Sequence, residues 1–325
     1  MLSTSEFKKF TRNRPIFAPN YDCMQLLAFW LLYPLLWCIS VLPFPLLYAL
    51  SDLTYFFVYR VFGYRKKAVR KNLDIALPHL SVAERRVVER KFYAHMCDMF
   101  LEMIKTLTIS TKEMNRRFRY TNIELLHEYE KTGRSLILMC AHYASWEWLI
   151  VMAEHIHVYR TAAVYKRIAN RRFDKLVRDI RARLNTELIE AQKAIEVLHQ
   201  QKEEGILAVY GFLGDQSPQL TKARHWDTFM GEEVPIHTGG EMLAKKLDLN
   251  IAYCRVTKKK RGYYEATIIP LAENPREYRD YEITTKYLKE VEKQILEAPE
   301  FYFWTHKRWK HTGKKKKPVM QETTV

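Results

Sequence analysis

The stretch LILMCAHYASWEWLI, Leu136–Ile150, contains a strand, a loop with a histidine and the beginning of a helix. Its first five residues form a continuous apolar run, which is typical of a strand covered on both faces. Ser145 then stands where a helix N-terminal cap is expected, before a new apolar periodicity that extends to about Ala153. A buried strand that leads at once into a helix predicts an α/β domain.

The same alternation continues on both sides of this stretch. Ser81 and Glu84 match a capping box, so a long helix is predicted to begin there and to run to about Leu107. Gly133 is placed to end a shorter helix. Taken in order, the segments predict a mixed central sheet flanked by helices. Further helices are predicted at 170–185, 191–202, 239–248 and 283–299, and further strands at 161–165, 205–213, 250–256 and 263–271.

The composition favours a folded protein in a reducing compartment. The chain has 325 residues, of which 48% are hydrophobic, so it can bury a sizeable core. Only 10 glycines and 12 prolines occur, which argues against disorder or a fibrous repeat. The five cysteines are scattered, and no pair has the spacing of a metal site. This pattern excludes a disulfide framework and indicates a cytosol-facing protein.

The chain is strongly basic, with 53 Lys and Arg against 37 Asp and Glu and a net charge of +16. Such a surface attracts anions, which include nucleic acid, anionic lipid headgroups and acidic proteins. Because the positive charges occur in clusters, they favour a binding role. A surface that only keeps the protein soluble is the alternative.

The N-terminal region is apolar, since Met24 to Leu50 contains no charged residue and is long enough to span a bilayer. Pro43 and Pro45 should end or kink a helix near Leu42. Clusters of Lys and Arg flank the apolar region on both sides. Two helices that enter one leaflet would keep both basic clusters cytoplasmic. We therefore expect a membrane anchor, of this kind or as a single span; a buried pair of core helices is the alternative.

A histidine followed five positions later by an acid occurs three times, so context must decide which pair matters. His142 leaves the carboxyl end of a buried strand, where α/β sheets place ligands. Glu147 falls in the first turn of the next helix and can fold back toward the ring. The other two pairs are expected on the surface: His79 with Glu84, and His199 with Glu204.

The pair of His142 and Glu147 has the composition of an acid–base site. A carboxylate that accepts a hydrogen bond from one ring nitrogen fixes the tautomer and leaves the other nitrogen free as a base. No G-x-S-x-G nucleophile motif competes with it in the sequence. We predict a catalytic pair, and the alternative is a buried histidine held by a helix-capping glutamate.

Several motifs resemble the bacterial late acyltransferases of lipid A biosynthesis, the lauroyl and myristoyl transferase group. HYASWE, 142–147, resembles the His-x4-Asp/Glu block of glycerolipid-type acyltransferases. The resemblance extends from residue 24 to residue 311. Further similar blocks are VLPFPLLYALS at 41–51, KKAVRKNLDIALP at 66–78, AVYKRIANRRFDKLV at 163–177, GDQSP at 214–218 and APEFYFWTHKRWK at 298–310.

The resemblance implies the transfer of a fatty acyl chain from an acyl carrier protein thioester to a hydroxyl of a lipid A precursor, without a metal or bound cofactor. His142 would be the general base, and Glu147 would orient it. The implied fold is glycerolipid-acyltransferase-like. The implied location of the protein is the cytoplasmic face of a bacterial inner membrane. The expected segments are a polar leader (1–23), a membrane anchor (24–63), a catalytic domain (64–311) and a basic disordered tail (312–325).

Two further residues are implied in substrate binding. Lys166 stands where members of the family usually have arginine, and it would contact a lipid phosphate or the developing oxyanion. Lysine cannot make the two-pronged contact of arginine, so another acceptor stays open: a lysophospholipid, an amino-acid lipid or a glycolipid. Asp215, in GDQSP, would shape the acceptor pocket. A surface lysine and a turn aspartate are the alternatives.

The closing segment WTHKRWK, 304–310, mixes tryptophan with basic residues. Such a mixture suits a membrane interface or phosphates, and would also suit nucleic acid. We favour lipid, because the expected anchor places the domain at the bilayer, and we expect no nucleic-acid partner. An acidic acyl carrier protein would dock on a basic face. A basic membrane protein that binds lipid without chemistry is the rival from another class.

Overall fold

A seven-stranded sheet lies at the centre of the described residues, 18–315, of this computed structural model, in which side chains are described from residue 26. The expected leader up to residue 17 and the expected tail from residue 316 lie outside the described residues. The prediction of an α/β domain with a mixed central sheet is confirmed. In spatial order the strands are β1 (Phe118–Tyr120), β9 (Tyr263–Ala272), β8 (Asn250–Lys260), β2 (Leu136–Cys140), β5 (Ala208–Leu213), β3 (Arg160–Tyr165) and β4 (Thr186–Glu190).

Neighbouring strands of this sheet run parallel, except that β8 and β9 form an antiparallel hairpin. The middle strand is β2, and all five of its residues are buried, as its continuous apolar run predicts. Its neighbours are β8 and β5, and the register pairs Cys140 with Leu213 at the carboxyl ends of β2 and β5. The loops that follow these two strands therefore begin side by side.

A second sheet of two strands, which no pattern in the sequence predicts, follows β5 along the chain. β6 (His225–Phe229) and β7 (Glu232–Ile236) pair antiparallel. Met230 and Gly231 form the turn with φ values of 50° and 82°, the backbone that a two-residue hairpin requires. Because Phe229 is the one buried residue of β6, no apolar pattern marks that strand in the sequence.

Two apolar helices precede the domain. They are α1 (Ala18–Val41) and α2 (Phe44–Tyr55), and a π-helical turn, Phe56–Val61, follows them. The break between α1 and α2 falls at the position that the two prolines predict. Large apolar side chains along these helices are exposed, including Trp30 at 65% and Leu31 at 74%. Across residues 18–315, we find no helix that combines the length and the apolarity needed to cross a bilayer.

The long helix of the domain begins where the capping box predicts. Ser81 Oγ accepts from the Glu84 N–H at 3.2 Å, and the Glu84 carboxylate accepts from the Ser81 N–H at 2.7 Å. Gly133, with a φ of 66°, follows the helix Glu124–Lys131 as expected for a C-terminal stop. The helices of the domain are α3 (Lys66–Ala76), α4 (Val82–Lys105), α5 (Thr111–Arg117), α6 (Glu124–Lys131), α7 (Arg171–Ala182), α8 (Ala194–Glu203), α9 (Gly239–Leu247) and α10 (Glu282–Glu297).

Buried polar contacts fasten α2 to α4 and to the turn of the β8–β9 hairpin. Ser51 Oγ donates to Asp98 Oδ1 at 2.7 Å, and the Arg261 guanidinium donates to both oxygens of Asp98. Tyr48 donates to Glu102 Oε1 at 2.9 Å. Because Ser51, Asp98 and Glu102 are almost wholly buried, specific polar contacts supplement the apolar packing that holds α2 on the domain.

Candidate active site

His142 lies in the loop after β2, two residues beyond Cys140, and its imidazole is 19% exposed. The closing segment holds this loop: the His142 carbonyl accepts from the Phe303 N–H at 3.0 Å, and the Ala144 N–H donates to the Phe301 carbonyl at 2.9 Å. Ala144 has a φ of 51°, in the left-handed region, where the chain turns away from the strand. The histidine therefore lies on a fixed turn at the carboxyl edge of the sheet, as predicted.

The carboxylate of Asp215 holds His142 from the neighbouring strand. Its Oδ1 accepts from His142 Nδ1–H at 2.8 Å and from the His142 backbone N–H at 3.1 Å. Each of the two residues lies two positions beyond a paired strand end, Cys140 or Leu213, so the parallel register brings them face to face. Asp215 is wholly buried. A buried carboxylate with two such bonds fixes both the ring and its tautomer.

The histidine and the aspartate stabilise each other's charged forms. Burial alone would lower the pKa of His142, but the charge and hydrogen bond of Asp215, and the charge of Glu147, raise it above the ordinary value of 6.5. Burial alone would raise the pKa of Asp215, but the charge and hydrogen bonds of His142 hold it below its ordinary value. Because ionised Asp215 can only accept, Nδ1 carries the proton, and Nε2 of the neutral ring is free as a base.

Glu147 does not hold the histidine, and that prediction of the hydrogen bond is wrong. Its Oε2 accepts from Arg181 Nη2 of α7 at 2.6 Å. The segment Trp146–Glu154 is a 3₁₀ helix, and the Ser145 side chain does not cap it. The tighter turn of a 3₁₀ helix redirects its side chains, and Arg181 takes up the carboxylate. Glu147 still acts on His142 through its charge, which raises the pKa of the imidazole.

Lys166 is exposed and directly follows β3, at the same carboxyl edge of the sheet as His142. The strand β5 lies between β3 and β2, so the two loops begin about 10 Å apart, which is two strand spacings. The Lys166 ammonium group makes no hydrogen bond or ion pair with the described residues. Its positive charge is therefore available to contact a substrate at the rim of the site.

Two further histidines lie near the Asp215 loop, and no motif in the sequence predicts either as part of the site. His237 follows β7, and His306 belongs to the closing segment, where its Nε2 accepts from the Ser217 N–H at 3.3 Å. Burial lowers the pKa of His237, with a contribution from the Arg308 charge. Burial and the nearby Lys310 lower the pKa of His306 to about 4. Both are neutral near pH 7, whereas the pKa of His142 is raised.

The closing segment is not the surface patch that its mixture of tryptophans and basic residues indicates. Trp304, Trp309 and Arg308 are almost wholly buried, and the two indole rings lie with centroids 6.2 Å apart. Lys307 and Lys310 are exposed. The segment thus contributes to the core on one side and to the surface on the other, and composition does not distinguish these sides. The two tryptophans were the available signal for a buried side, because tryptophan is highly buried on average.

Aromatic side chains border the imidazole. The ring centroid of Trp146 is 5.2 Å from that of His142, and the centroid of Phe303 is 6.4 Å from it. Phe100 of α4 is exposed and lies against Phe303 at 6.3 Å. Apolar rings beside a partly exposed base restrict water and favour an apolar substrate chain.

The arrangement can take a proton from a hydroxyl group. A neutral imidazole with a free Nε2, oriented by a carboxylate on Nδ1, is a general base. Within residues 18–315, no group of three or more His, Cys, Asp or Glu side chains is arranged to hold a metal ion.

Comparison with known proteins relates the chain to acyltransferases. The family model of bacterial lipid A biosynthesis acyltransferases matches residues 14–311, which include the whole site. A relative, the lipid A biosynthesis lauroyltransferase of Escherichia coli (strain K12), is 25% identical over 285 residues, which cover 86% of this chain and 90% of that protein.

Proposed function

Because this chain belongs to the family of bacterial lipid A biosynthesis acyltransferases, we propose that it moves a fatty acyl chain from an acyl carrier protein thioester to a hydroxyl of a lipid A precursor. Membership of the family makes the chain an O-acyltransferase. The observation that carries the proposed mechanism is the 2.8 Å hydrogen bond between His142 Nδ1 and Asp215 Oδ1, because it leaves Nε2 as the basic nitrogen.

In the proposed reaction, His142 Nε2 accepts the hydroxyl proton while the hydroxyl oxygen attacks the thioester carbonyl carbon. The tetrahedral intermediate then collapses, the carbon–sulfur bond breaks, and the leaving thiolate takes the proton back from the imidazolium. Asp215 keeps Nδ1–H in place and stabilises the imidazolium. Such a positioned base contributes roughly 10²- to 10⁴-fold in rate. The thioester supplies the activated acyl group, so no step calls on a metal or a bound cofactor.

Charged residues at the rim have supporting roles in the proposal. Lys166 is placed to approach a phosphate of the acceptor or the oxyanion of the intermediate. Glu147 stabilises the imidazolium through its charge, and its ion pair with Arg181 holds the 3₁₀ helix against α7. Asp215 takes the orienting role that the sequence spacing assigned to Glu147.

We place the enzyme on the cytoplasmic face of a bacterial inner membrane, with α1 and α2 as the attachment. The exposed apolar side chains of these helices support this placement, because contiguous apolar surface of this kind marks a membrane or protein interface. The net charge of +16 favours both an anionic bilayer and an acidic acyl carrier protein.

The lysine at position 166 supports a second class of acceptor lipid. The resemblance places an arginine there in most members, and lysine binds phosphate as a point charge without arginine's fork. A lysophospholipid, an amino-acid lipid or a glycolipid would then be the acceptor, with the same His142 chemistry.

Mass spectrometry of membrane lipids, with and without the gene in its own bacterium, tests the proposal. We expect one acyl group to be absent from lipid A when the gene is deleted, and a His142→Ala gene not to restore it. A change confined to another lipid would show that the proposed acceptor is wrong, while the proposed acyl transfer would stand. Full restoration by His142→Ala would instead favour a lipid-binding protein without this chemistry. The donor is identified by comparing the rates at which the purified protein transfers the acyl chain from an acyl carrier protein thioester and from a coenzyme A thioester.

A further inference from the structure

Arg308 is a buried cation close to the proposed active site. It is 1% exposed, and its guanidinium carbon lies 5.1 Å from the ring centroid of Phe229. Within residues 18–315, no carboxylate lies within ion-pair distance of it, and its Nε and Nη2 have no hydrogen-bond partner. A buried guanidinium without a paired carboxylate is costly, so its retention in the core calls for a reason.

The hydrogen bonds of Arg308 connect the loops around the site. Its Nη1 donates to Ser217 Oγ at 3.2 Å and to the Pro235 carbonyl at 3.1 Å. Ser217 lies two residues after Asp215 and donates back to the Arg308 carbonyl. The same closing segment contacts the His142 loop through Phe303. One side chain therefore fixes the Asp215 loop against the segment that holds His142.

The charge of Arg308 acts on the same groups. Asp215 is among the groups that favour the charged form of Arg308, and Asp215 Oδ2 is buried without a hydrogen-bond partner among the described residues. The charge of Arg308 also disfavours protonation of His237 and His306. The titratable and charged groups around His142 and Asp215 are Glu147 and Arg181 at the rim, Cys140 of β2, His237 after β7, Tyr253 of β8, Tyr287 of α10, and Tyr302, His306, Arg308 and Lys310 of the closing segment.

We propose that Arg308 is a positioning residue for the acyl transfer, whose buried guanidinium fixes the Asp215 loop against the closing segment that holds His142. This inference rests on the proposed function of His142 as the base. With its loop fixed, Asp215 keeps Nδ1–H of His142 in place while Nε2 takes the proton from the hydroxyl and returns it to the leaving group.

Two readouts on the full-length chain test this role. The first is kcat for acyl transfer as a function of pH. The second is the rate at which diethyl pyrocarbonate modifies His142, followed by mass spectrometry of its peptide, because this reagent attacks the neutral imidazole. The second readout gives the protonation midpoint of His142 without requiring turnover.

Arg308→Gln should lower the His142 midpoint toward the ordinary 6.5, because a loosened loop weakens the hydrogen bond and charge by which Asp215 raises the pKa of the imidazole. It should also lower kcat by on the order of 10-fold or more, since the loop loses its hydrogen bonds. Arg308→Lys keeps the charge and loses the fork, so its midpoint and kcat should fall in the same direction. A wild-type midpoint and kcat in Arg308→Gln would overturn the inference, as would a wild-type midpoint and kcat in Arg308→Lys.

Arg117→Gln is the matched control. Arg117 is 6% exposed, donates to Glu113 and to the Gly262 carbonyl, and lies beside β1, away from the Asp215 loop. Its loss should leave the His142 midpoint unchanged. If Arg308→Gln does not fold, Ser217→Ala tests the same contact from the loop side: kcat and the His142 midpoint should both fall, and wild-type values of both would contradict the loop-fixing role.

The two proposals fail in distinguishable ways. If the wild type transfers no acyl chain to any lipid, the proposed function fails, while the modification midpoints still decide whether Arg308 acts on His142. If the wild type is active and Arg308→Gln matches it in kcat and midpoint, the Arg308 inference fails and the proposed function stands.

Discussion

At the scale of single residues, the chemistry depends on where one proton lies. The carboxylate of Asp215 fixes the proton of His142 on Nδ1 and exposes the lone pair of Nε2. The same carboxylate stabilises the imidazolium and so raises the pKa of the base. A base whose pKa is raised binds the proton more strongly while the tetrahedral intermediate exists.

The rate of acyl transfer should rise with pH as His142 loses its proton. Since Asp215 and Glu147 raise the pKa of His142, the midpoint should lie above the ordinary 6.5. His142→Ala should lower kcat roughly 10²- to 10⁴-fold. His199→Ala, in a surface pair with the same spacing to an acid, is the control and should retain activity. A flat rate from about pH 5 to 8 would contradict the role of His142.

At the scale of elements, the site is made by the ends of two parallel strands and by the turn of the closing segment. Local patterns predicted β2, α4 and the capping box, because buried runs and caps depend on neighbouring residues. The partner of His142 depends on β5 lying beside β2, and strand order is not encoded in any local pattern. The spacing of five positions therefore predicted Glu147 as the partner of His142, whereas Asp215 makes the hydrogen bond.

Other parts of the site escaped prediction for related reasons. The β6–β7 hairpin lacks an apolar alternation, so nothing in its sequence marked it as strand. The burial of Arg308 and the two tryptophans depends on contacts with β7 and α3 that lie far away in sequence. For example, Asn72 Nδ2 donates to the Trp304 carbonyl at 2.7 Å.

The docking of α2 on the domain can be tested at Gly262, in the turn between β8 and β9. A Cβ atom there would overlap the hydroxyl of Tyr48, which donates to buried Glu102 and lies under Arg261. Gly262→Ala should destabilise the protein by about 1 to 3 kcal/mol beyond its backbone strain. The measurement is unfolding in urea.

Gly231→Ala supplies the control for the backbone term. Gly231 also has a positive φ, 82°, but no atom lies within 4 Å of the added Cβ. Both variants carry the left-handed backbone strain of about 1 to 2 kcal/mol. The difference between their losses in free energy of unfolding therefore measures the overlap with α2. Equal losses of stability in the two variants would contradict a tight docking of the hairpin turn on α2.

At the scale of the whole molecule, the chain combines a basic domain with an apolar helix pair. Many of the exposed large apolar side chains lie along α1, α2 and the π-helical turn, whereas the sheet carries the site. In the proposed function, the bilayer holds the acceptor lipid and the cytosol supplies the acyl thioester. An enzyme attached to the membrane surface can reach both substrates.

Membrane binding should depend on the exposed face of α1. The double variant Trp30→Glu, Leu31→Glu places two charges among exposed apolar residues, and a charge in the apolar layer is unfavourable by about 2.5 to 3.5 kcal/mol. It should no longer float with vesicles that contain phosphatidylglycerol. Ile195→Glu, at a residue of α8 that is 59% exposed, is the control and should float like the wild type. Flotation of the double variant would contradict attachment through α1.

The most direct test of the central claim compares Asp215→Asn with Glu147→Gln in the same acyl-transfer assay. The asparagine cannot stabilise the imidazolium by charge and does not fix the tautomer, so kcat should fall on the order of 10²-fold or more, and the pH midpoint of the residual rate should fall as well. Glu147→Gln removes the weaker charge and should show the smaller loss and the smaller shift. The opposite order, with Glu147→Gln nearly inactive and Asp215→Asn close to wild type, would contradict the assignment of Asp215 as the residue that holds the base.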